Sequence, residues 1–343
     1  MTNLERAPNE TVLRTGDPCA TVEVLEPREV PLGGPRALTV YRALPHKTRS
    51  LVGAWCFLDH YGPNNVAKTG GMVVPRHPHT GLATVSWLFS GEIDHVDSGG
   101  NTARVRPGEL NLMIAGSGIT HQEISTHGSG ELHGVQLWYA LPEQSRHSPN
   151  GFVNYVPEPV SFGPLTARVF IGELFGSVSP VVTRTGDLLG AELRMSGGSS
   201  VSFSLRDDFE YALLAEDGPI KVGGVEVPQR AVAVIPTGST TLEFEAGPQT
   251  TRVLLLGGVP LGESIVMWWN FVGRSHEEIV EYRARYQEEM GFEPLAPGHD
   301  SLPRLFGKFP SGQPAALPAP VLPHTRLKPR ASSRPANNSR PLA

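Results

Sequence analysis

Cysteine is scarce in this 343-residue chain: only Cys19 and Cys56 occur, too few to staple a secreted scaffold. The opening MTNLERAPNE lacks the apolar stretch of an export signal. A reducing, cytoplasmic setting is the expectation. Long apolar runs are missing too, and none approaches the roughly 18 residues that a membrane-spanning helix needs. Charged residues make up only 18% of the chain and the formal net charge is -5. That balance gives no global attraction to nucleic acid or to an anionic membrane, and no DNA-reading motif is present, so neither is expected as a partner.

What the chain has in quantity is glycine and proline, 38 and 32 residues, the punctuation of short strands joined by tight turns. The expected class is mainly β. Residues 1–20 read as a flexible lead-in and 21–155 as a first antiparallel β-barrel. Within it, Thr84 to Phe89 alternates cleanly, with Val85, Trp87 and Phe89 on one face. Beyond a Pro-punctuated connection at 142–163 the strand pattern recurs, so 156–310 reads as a second barrel. That unit carries a short helix over 275–290, opened by the capping-box spacing Ser275 to Glu278 and stopped by Gly291. Trp268 and Trp269 precede the helix and read as packing between helix and barrel, with stacking on an aromatic ligand as the other reading. From 311 to 343 there are seven prolines, five Lys or Arg and no acid, a composition expected to stay disordered.

Two short elements carry chemistry: His77-Pro78-His79 and His121-Gln122-Glu123. In a strand, residues i and i+2 share a face, so each pair projects as a unit. If the two strands lie side by side, His77, His79, His121 and Glu123 converge as a nitrogen and oxygen set suited to one divalent Fe, Mn, Ni, Co, Cu or Zn ion with open coordination positions. Of twelve histidines, His147, His276, His299 and His324 lie beyond His133 and outside every strand of the second barrel. A histidine-rich site is therefore expected only in the first. His60, beside Asp59, reads as a hydrogen-bonded structural histidine. His95, His127 and His133 have no pairing support; His133, starting the strand after the ligand loop, is the best candidate to brace a ligand.

The chain resembles the pirin family of bicupin proteins through VGAWCFLDHYGP (52–63), HPHTGLATVSWLFSGEIDHVDSGGN (77–101), RPGELNLMIAGSGITHQEIS (106–125) and HGVQLWYALP (133–142). The resemblance implies two cupin-type barrels and a metal held by His77, His79, His121 and Glu123, with Fe(II) first in order. It implies a quercetinase-type activity, the quercetin 2,3-dioxygenase reaction, in which O2 opens the heterocyclic ring of a flavonol and carbon monoxide is released. The implied partners are a flat aromatic or enolic substrate and O2. Glu123 would double as general base, and the strand bearing Val85, Trp87 and Phe89 would line or underlie the substrate pocket. The alternative is a non-catalytic iron-binding redox sensor that regulates a protein partner. One departure is Ala83 in HPHTGLAT, where many pirins carry glutamate; it leaves the four ligands in place and removes any proton-handling role there.

Overall fold

The structure, a computed structural model, describes residues 22–32, 38–126, 128 and 130–329. The expected lead-in at 1–20 and His127 lie outside them. Two units repeat one plan. In the first, a seven-stranded sheet runs in the order Gly151–Tyr155, Leu110–Ile114, Leu82–Ser90, Glu131–Ala140, Trp55–Asn65, Leu38–Leu44, Arg28–Leu32. A four-stranded sheet covers it, in the order Val73–His79, Ile119–Ser125, Ile93–Asp97, Thr102–Val105. The second unit again has seven and four strands, its large sheet centred on Glu210–Ala215, Thr251–Gly258 and Leu188–Met195. Each unit is thus a two-sheet cupin sandwich and not a closed barrel.

Alternation along the strands decides what each layer holds. Val85, Trp87, Leu110, Leu112, Val135 and Leu137 leave the first unit and meet Ala212, Leu214, Leu254 and Leu256 of the second in one core. The intervening residues Thr84, Ser86, Asn111 and Gln136 are also buried, on the opposite face. The large sheets pack back to back, and the first unit's interior is polar at its centre, between one apolar cluster around Val40, Met72 and Val74 and another around Met113, Ile119 and Trp138. By contrast the second unit's interior, around Leu213, Leu255, Leu242 and Phe244, is apolar.

Three expectations about the ends change. The strand Glu23–Leu25, assigned above to the first barrel, pairs with Val232–Ile235 and finishes the second unit's sheet. The helix His276–Glu289, capped by the Ser275 side chain on Glu278 N, packs on the first unit. Val272 N donates to Thr80 O at 3.1 Å, and Tyr282 and Tyr286 of the helix are buried in one cluster with Trp268 and Trp269. Finally, 311–329 is ordered extended chain, whereas 330–343 lies outside the described residues. Leu317 N donates to Arg76 O at 2.8 Å, Ala319 N to Gln287 Oε1 at 2.8 Å, and Ala319 and Leu327 join the helix core. Such a segment cannot build a core of its own, yet it can complete another's.

Candidate metal centre

The HQE strand Ile119–Ser125 is central in the small sheet, between the HPH strand Val73–His79 and the strand Ile93–Asp97. On one side His121 lies opposite His77, and the register then slips so that Glu123 faces Val74. The extra residue is absorbed around Pro75, which cannot donate to a ladder. On the other side His121 lies opposite Asp97 and Glu123 opposite His95. Two strands therefore bring the four sequence-predicted residues into one buried layer, and the third adds a pair the sequence reading passed over.

One ligand atom each from His77, His79 and His121 lies within 4.8 Å of the others, and the same holds for His95, His121 and Glu123. His77, His79 and His121 are 0% exposed and Glu123 1%. Burial pushes the His77 imidazole down to about 3. Burial, followed by repulsion from neighbouring histidines, pushes His79 and His121 well below their ordinary range. All three rings are neutral at pH 7. His77 Nδ1–H donates to Pro75 O at 2.8 Å, which leaves its Nε2 as a buried lone pair with no partner.

His95 fixes the third ring. Its Nε2–H donates to Asp97 Oδ2 at 3.2 Å, so its Nδ1 accepts from His121 Nδ1–H across 3.4 Å. His121 Nε2 is then a lone pair as well, 3.1 Å from His79 Nε2. That is about the separation of two nitrogens on adjacent corners of an ion with bonds of roughly 2.1 Å. Orphaned Nε2, neutral rings and an imidazole–carboxylate donor set all fit a divalent transition metal.

Glu123 is oriented from the large sheet. Ser86 Oγ lies 2.7 Å from Glu123 Oε1 and 2.9 Å from the Gln136 side-chain amide. A hydroxyl has one proton, and the carboxylate is the stronger acceptor. Turning the Gln136 amide to donate to Ser86 satisfies its otherwise unpartnered NH2 as well. Tyr61 OH is also buried without a partner. Apolar rings close the site, with Trp138 at 5.1 Å from His79 and Phe152 at 4.9 Å from His95, centroid to centroid.

One expectation holds only in part here, and another fails. Val85 and Trp87 face the second unit, where Trp87 packs on Phe170 and donates Nε1–H to Glu192 Oε2 at 2.8 Å, and Phe89 borders a cavity at the junction of the units; the strand underlies the site through Ser86 instead. The period of two sorted the residues correctly; the second unit's apolar sheet claimed the face that had been given to the substrate. Nor does His133 brace the ligands, because it turns to His60 and Glu216 at the junction of the units.

Residues 37–139 match the pirin family model and residues 190–292 that of the pirin C-terminal cupin domain. The chain belongs to the pirin family. A Pseudomonas aeruginosa protein named "Putative quercetin 2,3-dioxygenase PA1205" is 40% identical over 263 residues, 76% of this chain and 82% of that protein. A pirin-like protein of Caulobacter vibrioides is 36% identical over 260 residues, 72% and 88% of the two chains. The crystal structure of a quercetin 2,3-dioxygenase from Acinetobacter baumannii superposes with a TM-score of 0.81 at 34% identity, covering 91% of this chain and 98% of that one. Among the described residues, no helix is long and apolar enough to cross a membrane.

Proposed function

We propose that this pirin is a metal-dependent dioxygenase of the quercetinase type, opening the heterocyclic ring of a flavonol with O2 and releasing carbon monoxide. The observation that carries the reading is the set of neutral, buried imidazoles turned toward one another, with Glu123 beside them. It is supported by the similarity to proteins named for that activity. His77, His79, His121 and Glu123 would hold one divalent transition metal, Fe(II) first, with Mn, Ni, Co, Cu or Zn compatible. When bound, the ion supplies open positions for the flavonol oxygen and O2.

The chain's own residues do the rest. Glu123 takes the 3-hydroxyl proton of the flavonol on its carboxylate, steadied by the Ser86 hydroxyl. Asp97 and His95 hold His121 in the tautomer whose Nε2 faces inward. Trp138 and Phe152 keep water from the imidazoles.

The test is oxygen uptake with a flavonol panel after anaerobic metal loading, on wild type and Glu123→Gln. The variant keeps size and a carbonyl oxygen while losing basicity. It should retain much of its metal and lose about 10²- to 10⁴-fold in turnover. Equal turnover in a metal-loaded variant would refute the general-base role. No flavonol-dependent uptake by wild type with any of the six metals would refute the enzyme reading and leave the redox-sensor alternative.

A further inference from the structure

At the junction of the units, the strands Trp55–Asn65 and Glu131–Ala140 run side by side, with His60 opposite Val135. They bring His60 and His133 of the first unit against Glu216 of the second, which follows the strand Glu210–Ala215. His60 Nε2 lies 3.0 Å from His133 Nε2. Glu216 Oε1 is 2.7 Å from His133 Nε2 and 3.7 Å from His60 Nε2. His60 and Glu216 are 1% exposed and His133 8%, so these atoms meet away from bulk solvent.

Hydrogen bonding alone serves the three poorly. His133 Nε2 carries at most one proton, and the carboxylate at 2.7 Å takes it. His60 Nε2 then faces a committed N–H, and His60 Nδ1 has no hydrogen-bond partner. We propose that His60, His133 and Glu216 form a second divalent transition-metal site that bridges the two units. The triangle of donor atoms has a circumscribed radius of about 1.9 Å, so a point roughly 2.1 Å from all three exists, the usual bond length for imidazole nitrogen and carboxylate oxygen. Two imidazoles and one carboxylate on a single face leave the opposite face of an ion open. The three residues border a cavity of 310 Å³ that Asp217, Gln229, Arg230 and Arg252 also line.

Two arginines beside a cation site call for an account, and their contacts give one. Arg252 Nη1 donates to Glu216 Oε2 at 3.2 Å, holding the far oxygen so that Oε1 points at the imidazoles. Its guanidinium also lies over the Phe89 ring at 4.7 Å, and that of Arg230 over Tyr41 at 4.0 Å. Their charge favours a small anion as the remaining ligand in the cavity. His60 Nδ1 lacks the outer acceptor that Pro75 O gives His77 and His95 gives His121. This site therefore binds more weakly than the first and fills after it.

Cobalt(II) is the probe. Equilibrium dialysis of the full chain should show two equivalents, one tight and one weaker, and Co(II)-soaked crystals should give anomalous density among His60, His133 and Glu216. With the first site disabled by His77→Ala/His79→Ala, the weaker equivalent should persist. Adding Glu216→Gln should weaken it at least tenfold, and adding His133→Ala should abolish it. A single equivalent in wild type with no anomalous peak at the junction overturns the proposal. So does a weaker equivalent indifferent to both substitutions. Should the double variant fail to fold, the soaked wild-type crystals decide alone.

Discussion

Replacing His95 with leucine tests how the first centre is held. The substitution removes the acceptor that His121 Nδ1–H has among the described residues, 3.4 Å away, and frees the His121 ring to turn or change tautomer. Outer partners of metal-bound histidines are worth about 10- to 100-fold in metal affinity, or about 1.4 to 2.8 kcal/mol at 1.4 kcal/mol per tenfold. Leaving that N–H unpaired in the interior costs the fold about 1 to 3 kcal/mol more. Asp97 is not stranded by the change, because Gly99 N and Asn101 N still donate to it at 2.8 and 3.0 Å. His95→Gln keeps an acceptor oxygen and should recover part of the loss. Competition with a chromophoric chelator for Zn(II) at pH 7 reads the affinity, and urea unfolding reads the fold. Unchanged affinity in His95→Leu would refute the bracing role. Loss of a whole equivalent would make His95 a ligand and displace the proposed set.

The apoprotein should lose stability as pH falls from about 6.5 toward about 3. His77 titrates near 6.5 unfolded and about 3 folded, so the unfolded chain binds the extra proton, and each such histidine contributes a slope of up to about 1.4 kcal/mol per pH unit. Urea midpoints that stay flat across this window would contradict it. Gly81→Ala should destabilise well beyond about 1 kcal/mol and loosen metal binding, since Gly81 has φ +66° and an added Cβ would lie 2.3 Å from Val272 O; an unchanged thermal midpoint would show that the turn relaxes freely. Ending the chain at Ser311 should cost on the order of 2 kcal/mol by removing Ala319 and Leu327 from the helix core and exposing the surface they cover, with a lower melting temperature as the readout and an unaltered one as the contradiction.

The two-unit β plan and the convergence of HPH with HQE were legible because both are written at the i, i+2 period of a strand. His95-Val96-Asp97 carries the same spacing and could have been found by it; nothing in the spacing, however, said that this strand would pair with the HQE strand. For Val85 and Trp87 the alternation separated two faces without naming them, and only the apolar sheet of the second unit settled which face turned inward. Glu216 stands far from His60 and His133 in sequence, so no local pattern joins them. Composition misjudged the segment 311–329 because it measures what a stretch can bury by itself, whereas this one docks on Trp268, Tyr286 and the rest of the helix core.

Anomalous diffraction from metal-loaded crystals, recorded on both sides of the metal's absorption edge, tests the central claim most directly. The account predicts a full-occupancy peak bonded to Nε2 of His77, to His79, to Nε2 of His121 and to the Glu123 carboxylate, lost in His121→Ala. A loaded crystal with no peak there, or with one held by His95 in place of His77, would contradict it.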